Sequence, residues 1–380
     1  MDRRTFLSDL ALSWAAFHVG GESLLAGATD ITASRIPRWR GFNLQGNFPQ
    51  PGRSPGGSPG SVPYAYEEFD FATMAEWKFD FARLPLSYWV WGSRDDWSLI
   101  REEPLKEIDR AIELGRQYGI HINLNFHRIP GYCINDRNLE PVDLFTSPPA
   151  DRDRALAAGI YYWKAFARRY KGIPNSRLSF DLINEPPKMK TPNPELESRY
   201  VEIVKALVGG IREVDPNRLI FADGLDIGQA PVLGIVDLGL VQSTRGYIPK
   251  AVSHYTANWV PPDEFESLRL PTWPFKDDAG VLWDRARLGQ VYVDKYRPLI
   301  DRKVQIHVGE WGCFNRTPHD VALAWMKDCL SVWKDAGWGF SLWNLRGSFG
   351  VMDSARLDVQ YEDYKGHKLD RKMIELLKAY

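Results

Sequence analysis

Cysteine and histidine are scarce in this chain of 380 residues. The three cysteines, Cys133, Cys313 and Cys329, show no C-x-x-C spacing, and there are only 7 histidines. A metal site is therefore not expected, and we predict no cofactor. Cys133 and Cys313 each follow a predicted strand, so an oxidising compartment could pair them. Three small buried thiols are the favoured interpretation.

Net charge and long apolar runs are also lacking. Lys and Arg number 48 against 49 Asp and Glu, for a formal net charge of -1. This balance gives no reason to expect nucleic acid or an anionic membrane surface as a partner. No stretch approaches the ~18 consecutive apolar residues of a membrane-spanning helix. We expect a soluble protein without a membrane anchor, and a monomer.

The N-terminal residues have the composition of an export signal. Arg3 and Arg4 precede a short apolar stretch from Leu10 to Val19, and the small residues Ala-Gly-Ala at 26–28 form a candidate cleavage site. This pattern resembles a twin-arginine signal. We therefore predict two parts, a signal at 1–28 and one domain at 29–380, in a periplasmic or secreted protein.

Short apolar or β-branched runs alternate with amphipathic helical patterns along the rest of the chain. Eight strands are predicted, at 41–44, 79–86, 121–127, 178–185, 218–224, 240–247, 303–311 and 339–345. Helical patterns lie near 67–77, 103–118, 151–170, 195–214, 284–300, 319–336 and 369–380, and only 225–239 carries a poor helix signal. Strict alternation of this kind predicts the α/β class and a closed (β/α)8 TIM barrel as a single domain.

Aromatic residues are abundant, with 15 Trp, 16 Tyr and 18 Phe. Two loops are unusually long for a barrel. One, at 49–63, is rich in Pro and Gly and is expected to be mobile. The other, at 248–283, carries several aromatic residues. Trp89, Trp91 and Trp97 follow the second strand and are assigned equally to outer subsites of a binding face and to loop packing.

Two acids end predicted strands at equivalent places. The fourth strand runs into Asn184 and Glu185, and Pro186 stops the ladder because proline donates no hydrogen bond. The seventh strand ends at Glu310. In a closed barrel these strands lie across the mouth, so both carboxyls can face one cleft. A facing pair of carboxylic acids is the minimum machinery for cleaving a glycosidic bond.

These motifs resemble glycoside hydrolase family 5, the cellulase-type barrels. The Asn-Glu-Pro motif at 184–186 is the most specific match and Gly-Glu-Trp-Gly at 309–312 the next, within a resemblance that runs from about residue 41 to about 345. The resemblance implies a retaining mechanism, with Glu185 as general acid/base and Glu310 as nucleophile. It also implies that Asn184 bonds the sugar 2-hydroxyl.

The same resemblance assigns three supporting residues. Arg83 corresponds to the arginine that hydrogen-bonds the nucleophile and favours its ionised form. His127 corresponds to a histidine that lines the subsite of the reacting sugar. Trp343 corresponds to the aromatic platform beneath that sugar, although a strand Trp could equally belong to the core.

One position departs from the family pattern. After the sixth strand the family often has His-x-Tyr-x-Pro, and here Arg245 stands where the histidine is expected, with Tyr247 in place to donate to Glu310. A permanently charged guanidinium replaces a titratable ring, so the acid/base can be tuned differently. An alternative alignment with His254 as the catalytic histidine fits the spacing less well.

The expected substrate is a β-linked glycan, with endo-β-1,4-glucanase activity as the family default. Mannan, xyloglucan and β-1,3-glucan stay open, because specificity depends on loops and not on the barrel. A non-catalytic glycan-binding protein on the same barrel is the rival interpretation. The presence of both Glu185 and Glu310 argues against it.

The export signal generates a direct prediction. Replacing Arg3 and Arg4 together by Lys should abolish secretion, because the signal is read through its paired arginines. The measurement is the distribution of the protein between the cytoplasm and the exported fraction. Unchanged secretion would remove the assignment.

Overall fold

The computed structural model describes residues 31–46, 48, 65–189 and 191–380. The predicted signal at 1–28 and the Pro/Gly-rich loop at 49–63 lie outside these residues. Contacts group residues 31–380 into one unit. Within the described residues, no helix combines the length and apolar content that crossing a bilayer requires.

Eight parallel strands form a closed sheet, which confirms the predicted TIM barrel. They are, from the first to the eighth, Arg40–Asn43, Phe81–Ser87, His121–Ile129, Leu178–Asp181, Ile220–Asp223, Val241–Gly246, Ile306–Trp311 and Gly339–Leu342. Each strand pairs with the next in the chain. The eighth pairs with the first through Phe340 and Arg40, so the ring closes without a free edge.

Helices follow the strands in the predicted order. The longer ones are Glu68–Glu76, Glu102–Tyr118, Pro149–Arg169, Pro194–Val214, His319–Asp335 and Arg371–Lys378. The weak connection after the fifth strand holds only the short helix Leu225–Gly228 and a 3₁₀ segment, Leu233–Leu238. The predicted helix at 284–300 is divided into Arg285–Gly289, a π-helical turn at Gln290–Asp294 and Arg297–Ile300.

The chain also forms several short elements outside the eight barrel strands and the longer helices. The 3₁₀ turns are Tyr88–Val90, Arg137–Leu139 and Pro262–Glu264, and one further helical turn is Lys250–Ser253. Strand Tyr132–Cys133 pairs antiparallel with the third barrel strand, and two hairpins join Phe275–Lys276 to Leu282–Trp283 and Glu362–Tyr364 to His367–Leu369.

The helix Glu102–Tyr118 shows how the sequence directs packing onto the barrel. The positions predicted to share one face, Leu105, Ile108, Ala111, Ile112 and Leu114, are all buried. Glu102 and Glu103 occupy the first turn, where acids complement the helix dipole. Gly119 ends the helix in the left-handed conformation (φ 69°), as a C-terminal glycine commonly does.

The barrel interior is layered by the alternation of side chains along each strand. A lower layer is aromatic: Phe81 lies 5.4 Å from the His121 ring and 4.5 Å from the His307 ring, between ring centroids. Arg83 and Asp223 lie two positions after Phe81 and Phe221 on the same strands, and both are fully buried. Because side chains two apart point to the same face, the charged groups form a layer above the aromatic floor.

The fourth strand is shorter than predicted. Its regular pairing ends at Asp181, four residues before Glu185. After Asp181 the main chain bonds to each neighbouring strand in turn. Leu182 N–H donates to Phe221 O of the fifth strand at 3.1 Å, and Asn184 N–H donates to Phe126 O of the third strand at 3.2 Å. The segment therefore stays between its neighbours without forming a ladder, and Glu185 leaves it with a left-handed φ of 48°.

All three cysteines are buried and free. Cys313 Sγ lies 3.3 Å from Val252 O and donates to it. The favoured interpretation, buried thiols, is confirmed, and the alternative Cys133–Cys313 pairing is wrong.

Gly41 gives a stability prediction, because a Cβ atom there would lie 1.6 Å from Phe81 O in the neighbouring strand. Gly41→Ala should destabilise the barrel by roughly 3 kcal/mol or more, since two strand backbones would have to separate. Gly209→Ala is the matched control, because a Cβ at that helical position meets nothing within 4 Å. It should raise stability by up to about 1 kcal/mol. Thermal unfolding of both variants tests this, and equal midpoints would contradict it.

Candidate active site

A cavity of about 1130 Å³ opens at the carboxyl ends of the barrel strands. Among the residues predicted for the site, seven line it: His127, Glu185, Arg245, Tyr247, His254, Glu310 and Trp343. The other two, Arg83 and Asn184, are fully buried beneath it. The structure thus brings together all nine residues that were selected from the sequence.

Glu310 is held in place by cationic and hydroxyl donors. Arg83 Nη1 donates to its Oε1 at 2.5 Å, and Tyr247 Oη donates to its Oε2 at 3.4 Å. Arg245 Nη2 lies 3.3 Å from the same Oε1. A bulge at Gly309 shifts the register with the sixth strand, so that Glu310 pairs directly with Arg245. Glu310 is 4% exposed, and these donors hold its carboxyl group in one orientation.

Glu185 has a different environment. Arg245 Nε donates to its Oε1 at 2.9 Å. Burial and the nearby charge of Glu310 raise the pKa of Glu185 to about 7, while Arg245 acts in the opposite direction. Its side chain keeps 18% of its surface exposed, so it can reach a molecule in the cavity.

The two carboxyls share one guanidinium group. Arg245 lies 2.9 Å from Glu185 Oε1 through Nε and 3.3 Å from Glu310 Oε1 through Nη2. Both carboxyl groups can therefore reach the same bond of a molecule in the cavity. Glu185 has a raised pKa, and Glu310 accepts hydrogen bonds from several donors. Acid-assisted displacement at an acetal carbon requires such a pair of carboxyl groups.

Beneath the acids lies a network of buried ion pairs. Arg83 Nε donates to Asp181 Oδ2 at 2.9 Å, and Arg245 Nη1 donates to Asp223 Oδ1 at 3.0 Å. Both aspartates are almost completely buried. Burial, and then the charge of Asp223, raise the pKa of Asp181 to about 7, against the lowering effect of Arg83 and Arg245. Each arginine thus connects a buried aspartate to the glutamates above.

Asn184 lies between the two arginines. Its Oδ1 accepts from Arg83 Nη2 and from Arg245 Nη2, both at 2.8 Å. Its Nδ2 lies 3.2 Å from His127 Nε2. Burial and the charges of Arg83, Arg128 and Arg245 lower the pKa of His127 well below its usual range, so the ring is neutral and Nε2 accepts this bond. Asn184 is fully buried and does not line the cavity, so the bond from its second N–H to a sugar hydroxyl stays a prediction.

Trp343 and His254 both line the cavity. Trp343 is half-buried, and its ring stacks near His127 at 5.6 Å between centroids. His254 bonds Ser253 Oγ at 2.9 Å and packs edge-on against Tyr247 at 4.9 Å. Burial lowers the pKa of His254 to about 3. The geometry therefore favours the alignment in which Arg245, and not His254, occupies the position beside the acids.

The tryptophans after the second strand pack instead of lining the cavity. Trp91 is completely buried against aromatic side chains, and Trp89 Nε1 donates to Glu140 Oε1 at 2.8 Å. Trp97 is half-buried, with the Arg154 guanidinium over its ring at 5.1 Å. Trp259, from the long loop after the sixth strand, does line the cavity and is 48% exposed.

Sequence analysis missed Asp181, Asp223 and Tyr132. The two aspartates end the apolar strands Leu178–Asp181 and Ile220–Asp223, which is the same signal that selected Glu310. Tyr132 Oη donates to Glu185 O at 2.6 Å. No local pattern marks Tyr132, because its role depends on a contact across 53 positions of the chain.

The chain is similar to known proteins over most of its length. A family model described as Cellulase (glycosyl hydrolase family 5) matches residues 56–348. Endoglucanase C of Acetivibrio thermocellus is 24% identical over 321 residues, which cover 78% of this chain and 88% of the relative. Cellodextrinase A of Ruminococcus flavefaciens is 27% identical over 275 residues, which cover 71% and 76%.

Solved structures show the same architecture. A crystal structure described as a glycoside hydrolase is 35% identical with a TM-score of 0.81, and the match covers 90% of this chain and 99% of that one. A hyperthermophilic endo-β-1,4-glucanase in complex with substrate has a TM-score of 0.65 at 17% identity, covering 91% and 99%, and shares the fold.

Proposed function

Because this chain belongs to glycoside hydrolase family 5, we propose that it hydrolyses a β-linked glucan as an endo-β-1,4-glucanase, with retention at the anomeric carbon. The observation that carries the proposal is the sharing of the Arg245 guanidinium by Glu185 and Glu310 at the wall of one cavity. All of these residues come from one chain, so the proposed reaction needs no residue of a second copy.

In the first step Glu310 attacks the anomeric carbon and Glu185 gives its proton to the departing glycosidic oxygen. Arg83 and Tyr247 fix the orientation of the Glu310 carboxylate through its two oxygens. The raised pKa of Glu185, about 7, keeps this acid protonated in neutral or mildly acidic solution. The product of this step is a covalent glycosyl ester on Glu310.

In the second step Glu185, now ionised, takes a proton from the water that attacks the ester. Loss of the charge on Glu310 during ester formation removes one of the causes that raise the pKa of Glu185. The pKa of Glu185 therefore falls once the ester has formed. Glu185 is then ionised and can accept the proton of the attacking water.

The cavity wall supports a carbohydrate as the ligand. Trp343 is placed to carry the reacting sugar, and the half-exposed Trp259 offers a second aromatic surface. His127 supplies a polar group beside Glu310. The relatives that match most of the chain are described as an endoglucanase and a cellodextrinase, which favours a β-1,4-glucan over mannan, xyloglucan or β-1,3-glucan.

We also propose that residues 1–28 direct export to the periplasm or the medium. The paired arginines, the short apolar stretch and the Ala-Gly-Ala site support this. A polymeric glucan does not cross a membrane, so an exported enzyme would meet its substrate directly.

Glu185→Gln and Glu310→Ala test the function. Each should lower hydrolysis of soluble β-1,4-glucan by about 10²–10⁴-fold or more, because each removes one of the two reacting groups. Product release from a panel of β-1,4-glucan, mannan, xyloglucan and β-1,3-glucan is the measurement. Glu113→Gln, the same chemical change on an exposed helix face, is the control. Glycan binding without cleavage by the wild type would favour the non-catalytic alternative.

The pH dependence follows from Glu185. Its proton is present below pH about 7 and is lost as the pH rises through that value. The kcat/KM for a glycoside with a poor leaving group should therefore fall about tenfold per pH unit above about 7, because the free enzyme loses its general acid. A pH–rate profile measures this. An alkaline limb close to pH 4–5, the ordinary range of a glutamate, would contradict the assignment.

A further inference from the structure

The main chain of Glu185 is held in an unusual conformation by two side chains. Its φ of 48° lies in the left-handed region, which residues other than glycine seldom adopt. The N–H of Glu185 donates to Asp223 Oδ2 at 2.8 Å, and its carbonyl accepts from Tyr132 Oη at 2.6 Å. Such a conformation persists only where the surroundings determine it, and these two bonds do so.

Asp223 holds more than the backbone of Glu185. Its carboxylate binds Arg245 through both Nη1, at 3.0 Å, and Nη2. Arg245 in turn donates through Nε to the Glu185 side chain at 2.9 Å. One carboxylate therefore binds both the peptide N–H of Glu185 and the guanidinium that contacts its carboxyl group.

Asp223 is itself firmly placed. It is 0% exposed, at the last position of the strand Ile220–Asp223. Its carbonyl accepts from Tyr200 Oη at 2.7 Å. It pairs in register with Ser243, two positions before Arg245, so both charged side chains belong to the ring of strand ends that surrounds the barrel axis.

We propose that Asp223 is a positioning residue for the hydrolysis: by binding Arg245 and the N–H of Glu185 together, it holds the acid/base in place. This rests on the proposed function. Asp223 touches neither the cavity surface nor the reacting atoms and acts through Glu185 and Arg245.

The charges around Glu185 give the direction of the effect. Glu310 from the seventh strand and Asp223 from the fifth raise the pKa of Glu185, and Arg245 from the sixth lowers it. The hydroxyls of Tyr132 and Tyr247 also face it. Without the charge of Asp223, the Arg245 guanidinium would be balanced more by Glu185, which would then ionise at lower pH.

Asp223→Asn is the test, with Asp181→Asn as the matched control. Asp181 is a buried aspartate on the neighbouring strand, but its partner Arg83 contacts Glu310 and not Glu185. The substrates are phenyl β-cellobioside, whose leaving group needs a proton, and 2,4-dinitrophenyl β-cellobioside, whose leaving group does not. Should the glycan panel favour another sugar, the aryl glycosides of that sugar replace them.

Asp223→Asn should lower kcat/KM for the phenyl glycoside by about 100-fold or more and for the dinitrophenyl glycoside by less than about fivefold, since only the first needs the acid. The alkaline limb of the pH–rate profile of this variant should move to lower pH by about one unit or more. Asp181→Asn should lower kcat/KM for both substrates in similar proportion, because it acts through Glu310. The alkaline limb of its pH–rate profile should stay at the wild-type pH.

Equal losses on both substrates with an unmoved alkaline limb would overturn the inference, because a merely structural defect behaves in that way. If Asp223→Asn does not fold, Asp223→Glu keeps the charge, displaces the carboxylate by one methylene and should still penalise the phenyl glycoside selectively. Equal losses in that variant would also overturn the inference. A wild type that cleaves no aryl glycoside and no glycan would instead overturn the proposed function, and the inference with it.

Discussion

The ion-pair network of Arg83 and Arg245 is the constraint on which the site depends. These two guanidiniums, each almost without exposure, contact the carboxyls of Asp181, Asp223, Glu185 and Glu310. Burying a charge is costly unless it is paired and hydrogen-bonded. Because arginine presents several donors in a rigid plane, each group can bond more than one acid at once. The acids are consequently held at set positions by buried partners.

The barrel makes this network possible by separating its interior into layers. Aromatic and imidazole rings fill the lower part, where Phe81, His121 and His307 pack together. Burial lowers the pKa of both histidines to about 3, so this floor is uncharged. The charged layer above it therefore has protein on its lower side and the cavity on its upper side. Charge that develops in the cavity meets fixed dipoles and ions instead of mobile water.

The two glutamates differ because their surroundings differ. Glu310 accepts from Arg83 and Tyr247 and lies near Arg245. Glu185 has one guanidinium partner, and its burial and then the negative charge of Glu310 raise its pKa to about 7. Arg245 contacts both, which couples the protonation of one acid to the charge of the other. In this chain an arginine thus occupies the position where the family often has a histidine, and a buried aspartate accompanies it.

The sequence by itself determined the barrel and the position of the acids along it. Strand and helix periodicities are local, so the alternation of elements and the buried face of Glu102–Tyr118 could be predicted without knowing any contact. Glu185 and Glu310 were selected by the same local signal, an acid that follows an apolar run.

Only the tertiary structure decided how the acids are held. The left-handed turn at Glu185, its bonds to Tyr132 and Asp223, and the sharing of Arg245 all join residues distant in the chain. The burial of Trp89 and Trp91 was likewise undecided, because a tryptophan after a strand suits a core and a sugar-binding surface equally. Local periodicity carries no information on such contacts, which exist only once the ring of strands has closed.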